Sequence, residues 1–161
     1  KGLYENSIFI LYGDHYGLSP ANYEALGQFL GKELQDYDHI RLQRVPLIIH
    51  IPGLKGERME TTAGQIDLKP TLRHMLGIET DSGLEFGHNL FDPDRRELAI
   101  LRNGSFVTQE LLYTNGVCYD KYSGDPKPNE LCQPYVKQVL DELHYSDKII
   151  YENLLRFEPE S

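Results

Sequence analysis

Ser7-Ile8-Phe9-Ile10-Leu11 is a short unbroken apolar run with the β-branched and aromatic content of a buried strand. A second such run lies in Arg44-Val45-Pro46-Leu47-Ile48-Ile49-His50-Ile51-Pro52-Gly53, with prolines near both ends, where strand margins tolerate them. Between the two, Ser19 reads as a helix cap and Pro20 as the first helical position, with alanines, leucines and Phe29 carrying the helix to about Leu34. Asp36-Tyr37-Asp38-His39 then reads as a polar break and Lys55 to Glu60 as a charged turn. From Asp67 the period becomes helical again. Asp67 is the expected cap, Leu68, Leu72, Met75 and Leu76 form the stripe, Pro70 falls in the first turn, and Gly77 is the stop. Such runs, alternating with helices, predict an α/β fold with an open sheet.

The character changes after about residue 96. Leu98 to Arg102 and Ser105 to Thr108 flank Asn103-Gly104, and Leu111 to Thr114 and Val117 to Tyr119 flank Asn115-Gly116. Both read as antiparallel hairpins closed by type I′ turns. From Pro134 onward, Val136, Val139, Leu140, Leu143, Ile150 and Leu154 keep a helical spacing that predicts a terminal amphipathic helix, with Tyr145-Ser146 as a point of fraying or kinking. The expected division is therefore 1–95, an α/β core, and 96–161, an antiparallel subdomain with a terminal helix.

Composition narrows the partners. With 25 acidic and 16 basic residues the net charge is -9, which repels phosphate backbones and argues against general nucleic-acid binding. No stretch approaches the roughly 20 apolar residues of a membrane-spanning helix. The first residues read almost directly into a strand, so the chain is expected to be a piece of a longer polypeptide. Cys118 and Cys132 bracket a polar stretch with little apolar content of its own. They are either free thiols or a disulfide formed in an oxidising compartment, and the disulfide is the expectation. Two cysteines with no histidine between them make a poor start for a zinc site.

Candidate chemistry begins where the first strand ends, at Tyr12-Gly13-Asp14-His15-Tyr16-Gly17. Ligands bind outside the carboxyl ends of strands in open α/β sheets. A carboxylate beside an imidazole there suits a divalent metal, with Gly13 and Gly17 bending the backbone on either side. The plainer alternative is a turn-capping aspartate and a surface histidine. Other candidates read as structural: His39 as a solvated loop residue, His50 as a hydrogen-bonded sheet residue, Asp67 and His74 as helix-start and exposed helical positions. His88 is left without a role.

Three segments in this order resemble the sulfatase branch of the alkaline phosphatase superfamily: Ser7 to Gly17, Val45 to Gly53, and Gly64 to Ile78. Tyr12-Gly13-Asp14-His15-Tyr16-Gly17 and Arg102-Asn103-Gly104-Ser105-Phe106-Val107-Thr108 are similar to the carboxyl-terminal part of lipoteichoic acid synthase-type enzymes, glycerol phosphate transferases of Gram-positive bacteria. The resemblance runs from about residue 3 to about 119, and the cysteine segment and last helix depart from the pattern. It implies the carboxyl-terminal part of a sulfatase-like, alkaline phosphatase-like sandwich, with a small antiparallel sheet and a terminal helix. It also implies an extracytoplasmic domain on the outer face of the cell membrane, tethered below membrane-spanning helices and open to proteolytic release as a secreted form. Such a domain holds one divalent ion, usually Mn2+, with Mg2+ or Zn2+ as substitutes. A threonine takes glycerol phosphate from phosphatidylglycerol, releases diacylglycerol, and passes the group to a glycolipid or lipoteichoic acid chain.

Within that family the metal is held by a glutamate, the threonine and an Asp-His pair, and only the pair has counterparts here, Asp14 and His15. The nucleophile is expected upstream of Lys1, since Thr61, Thr62 and Thr71 lie outside its context. The expected partner is accordingly the preceding segment of the same catalytic domain. Two competing readings are a sulfatase or phosphoethanolamine transferase of the same superfamily, and a non-catalytic binding module on the same fold.

Overall fold

The computed structural model describes residues 2–15, 18–78 and 85–157. Tyr16 and Gly17, the end of the glycine-flanked motif, lie outside the described residues. The chain divides into two compact units, Lys1–Glu60 and Thr61–Ser161. Its architecture is mixed α/β with two antiparallel sheets and a long carboxyl-terminal helix. Among the described residues, no helix is long and apolar enough to cross a membrane.

In the first unit, β1 (Phe9–Tyr12) pairs antiparallel with β2 (Leu47–His50), Phe9 opposite His50 and Tyr12 opposite Leu47. Both strands fall within the predicted runs, but the expected burial is corrected. Leu11 is 59% and Ile48 56% exposed, and Tyr12, Phe9 and Leu47 are also open. Burial of such strands needs neighbours on both faces, and among the described residues β1 and β2 have only each other as strand partners.

Helix α1 (Tyr23–Leu30) follows a single 3-10 turn at Pro20–Asn22. It ends at Gly31, short of Leu34, because Gly31 turns left-handed and Lys32 N–H reaches back to the Gly27 carbonyl at 3.1 Å. The polar break is in fact helix α2 (Asp36–Arg41), started by Asp38 accepting the Gln35 N–H at 3.1 Å. Burial alone would raise the Asp38 carboxyl. The Lys32 ammonium at 2.6 Å, the Gln35 amide and Arg41 together hold it below its ordinary value. His39 is therefore helical rather than a solvated loop residue, and its ring stacks on Tyr23 with centroids 4.1 Å apart.

The second unit opens with a 3-10 turn at Gln65–Asp67 and helix α3 (Leu68–Leu76), stopped by left-handed Gly77 as the sequence predicts. A five-stranded antiparallel meander follows: β3 (Leu98–Ile100), β4 (Phe106–Thr108), β5 (Leu111–Thr114), β6 (Val117–Asp120) and β7 (Pro126–Lys127). Asn115 and Gly116 both have positive φ, as a type I′ turn requires. At the first hairpin only Gly104 does, and its N–H bonds to the Leu101 carbonyl at 3.0 Å. That turn is a three-residue loop ending in a glycine bulge, not type I′.

Helix α4 (Gln133–Tyr151) runs unbroken through Tyr145-Ser146. Val139 is fully buried, but Ile149 takes the inward position expected of Ile150, and Leu140 and Ile150 face solvent. The helix covers a core of Leu98, Phe106, Cys118, Cys132 and Val139, with Phe106 stacked on Tyr113 at 5.1 Å. The expected disulfide is present: Cys118 on β6 is bonded to Cys132 at the start of α4, both wholly buried. Asn129 fastens the same junction, accepting the Cys118 N–H and donating to the Gly116 carbonyl, each at 2.9 Å.

Beside the sheet, buried Thr62 gathers four partners. Its N–H donates to Glu97 at 2.8 Å, its hydroxyl donates to the Thr108 carbonyl at 3.0 Å and accepts from Lys121 at 2.6 Å, and its carbonyl accepts from Arg95 at 3.0 Å. Burial would raise the Glu97 carboxyl, but the Thr62 amide, the Thr61 hydroxyl, Arg95 and Lys121 outweigh it and hold the group below its ordinary value. A depressed carboxyl contributes stability above its unfolded pKa and loses it as the pH falls through the folded value. In the full-length protein, Glu97→Gln should therefore flatten the acid side of the stability profile below about pH 4.5, read from urea midpoints across pH. Replacing both Cys118 and Cys132 with serine should cost about 3 kcal/mol for a loop of this size, read by chemical denaturation.

Candidate metal centre

Strand β1 delivers Gly13, Asp14 and His15 directly beyond its last paired residue. One further backbone bond, Gly13 N–H to the Pro46 carbonyl at 3.1 Å, continues the ladder past the strand end. Gly13 does not take a left-handed conformation. A Cβ built there would lie 2.6 Å from the Val45 Cβ, so glycine is required for space.

Asp14 Oδ1 and His15 Nε2 stand 3.7 Å apart, with the side chains 77% and 82% exposed. Oxygen and nitrogen donors each bind a divalent ion at about 2.0–2.2 Å, and two donors at this separation can share one. The pair therefore fits a metal of the manganese or zinc type as two of its ligands. Among the described residues, no group of three or more histidine, cysteine, aspartate or glutamate side chains gathers at one place. The remaining donors would have to come from outside them.

The other sequence candidates have structural partners. His50 accepts or donates to the Tyr4 hydroxyl at 2.7 Å and packs beside Phe9, the hydrogen-bonded sheet role expected of it. His74 lies on the exposed side of α3. Asp67 is buried, yet it does not cap α3 with its side chain as the sequence suggests. Its carboxylate accepts Gly64 N–H at 2.9 Å and His88 N–H at 2.8 Å, pinning the incoming turn and a later loop to one residue. Thr71 completes the clamp, donating to the Asp67 carbonyl and accepting Leu90 N–H at 3.0 Å. Gly87 passes so close that a Cβ would meet the Ile66 carbonyl oxygen at 2.4 Å. His88 thus takes part through its backbone, a use no side-chain motif announces. The hydroxyls of Thr61, Thr62 and Thr71 are all engaged by neighbouring groups.

The chain is thus of mixed α/β class, with an exposed Asp-His pair just past a strand end. No family model matches the chain. It is 48% identical to the lipoteichoic acid synthase-like protein YvgJ of Bacillus subtilis over 98% of its own length and 26% of that protein's. Identity is 41% to lipoteichoic acid synthase 1 of the same organism, covering 97% of the chain and 25% of the relative. It is 38% to the lipoteichoic acid synthase of Staphylococcus aureus, over 98% and 25%. The chain is a homologue of lipoteichoic acid synthase-type proteins, in keeping with a carboxyl-terminal part of one, and spans about a quarter of the length of these curated relatives.

Asp67→Ala leaves the part-buried Gly64 and His88 amides without this acceptor and should destabilise the full-length protein by about 1–3 kcal/mol, while its Mn2+ titration should match that of the wild type. Calorimetric titration beside a denaturant melt checks both halves.

Proposed function

We propose that this chain is the carboxyl-terminal part of the catalytic domain of a metal-dependent glycerol phosphate transferase acting in lipoteichoic acid synthesis. The observation that carries the reading is similarity to lipoteichoic acid synthases along 97–98% of the chain, and the strand-end Asp14-His15 pair adds two donors that one metal ion could share. In this reading residues 1–95 belong to a sulfatase-like sandwich and 96–161 to its antiparallel subdomain and terminal helix. The open apolar faces of β1 and β2 support that assignment, because side chains such as Leu11, Ile48 and Tyr12 gain stability only when another layer covers them. The covering layer is the preceding segment of the same domain, which also carries the threonine nucleophile and the missing metal donors. The buried disulfide supports placement on the oxidising, outer side of the membrane.

Asp14 brings a negative carboxylate that favours retention of a divalent ion. His15 brings a neutral nitrogen donor from Nε2, the atom turned toward Asp14. Their exposure leaves the donors open to approach from the rest of the domain. When bound, Mn2+ lowers the pKa of an adjoining hydroxyl and offsets charge on phosphoryl oxygens. The substrates under this reading are phosphatidylglycerol and a glycolipid or growing lipoteichoic acid chain.

In the full-length enzyme, Asp14→Ala and His15→Ala should each reduce diacylglycerol release from phosphatidylglycerol by at least about a hundredfold with unchanged circular dichroism. Metal content measured on the same preparations should fall in parallel. Near-normal turnover by either variant contradicts the reading.

A further inference from the structure

The glycine before the metal pair has a distinct physical role. Gly31 and Gly77, which end helices, have positive φ and open space where a Cβ would stand. Gly13 is the reverse: its backbone suits any residue, and its surroundings admit none. A Cβ there would lie 2.6 Å from Val45 Cβ, 2.9 Å from Cγ1 and 3.4 Å from Cγ2. Rotating the Val45 side chain moves its methyls but not its Cβ, so no rotamer relieves the closest contact.

The backbones on both sides of that contact are held. Gly13 N–H is bonded to the Pro46 carbonyl, and Val45, as the residue before a proline, is confined to extended conformations. Behind Gly13 stand the four paired positions of β1 and β2. Ahead of it stand Asp14 and His15, one and two residues from the contact. Added bulk at position 13 has to shift Gly13 or Val45, and a shift of Gly13 carries the two donors joined to it.

We infer that Gly13 is a positioning residue for the Asp14-His15 pair, and that its packing against Val45 fixes where the two donors lie. The inference rests on the metal reading above for its functional meaning, and on steric contact alone for its geometry. The position tolerates one Cβ in total, carried at 45. Moving that Cβ to 13 restores the spacing, so the double variant Gly13→Ala/Val45→Gly should behave more like wild type than Gly13→Ala alone.

The test titrates Mn2+ alone into the full-length wild type, Asp14→Ala, Gly13→Ala, Val45→Gly and the double variant, with metal-free melting curves and crystal structures of each. Gly13→Ala should stay folded, bind Mn2+ about 10- to 100-fold more weakly, the scale of an ångström misplacement, and show Asp14 displaced by the better part of an ångström. The double variant should recover most of that affinity and return Asp14 to its place. Wild-type affinity in Gly13→Ala overturns the inference, as does loss of its metal-free fold, which would make the glycine merely structural. A double variant no better than Gly13→Ala overturns it too. If Asp14→Ala binds Mn2+ as wild type does, the metal reading fails instead, and the displacement of Asp14 in the metal-free structures still decides the steric claim.

Discussion

Antiparallel pairing between β1 and β2 is the constraint on which the candidate centre depends. It is made of backbone bonds between four residues on each side, Phe9 to Tyr12 and Leu47 to His50, extended one step by Gly13 and Pro46. An isolated two-stranded ribbon is marginal in water, since neither face is shielded and each edge is open. Its partial support comes from the Tyr4, Phe9 and His50 ring cluster against one end. Asp14 and His15 thus sit at the end of an element whose own pairing gives it little stability.

The second unit solves the same difficulty internally. Its meander is covered by α4, centred on Phe106, Val139 and the bridged cysteines. Short strands leave little apolar area, and polar clamps make up the difference. Asp67 with Thr71, Thr62 with Glu97 and Lys121, Ser105 with Thr114, and Asn129 at the bridge each satisfy buried groups that would otherwise be costly. Ser105 and Thr114 are both buried, and the Ser105 hydroxyl donates to the Thr114 hydroxyl at 2.9 Å.

Much of this was legible along the chain. Asn115-Gly116, Gly77 and the existence of α4 with Val139 inward act through local backbone preference and periodicity, which travel with the residues themselves. Proline-bounded β2 and the Cys118-Cys132 bridge were legible for the same reason. What escaped depends on distant partners. Asp67 resembles a helix cap by position, but two remote amides claim its carboxylate. His39 resembles a loop residue by composition, but α2 forms because Lys32 and the Gln35 amide engage Asp38. Exposure of β1 was invisible too, since a buried-strand pattern records the layers that should surround it and not which chain segment provides them. At the candidate centre, the pair was readable as a motif, while the need for Gly13 came from a residue 32 positions later in the chain, Val45.

Cys118 and Cys132 have no exposed surface once β6 and α4 meet. Thiol exchange requires an attacking sulfur to reach the one it displaces, so an oxidant has access only while the sheet and helix are still apart. Bond formation therefore falls before that meeting or during a local opening of it, and the same closure shields the finished bond from attacking thiols.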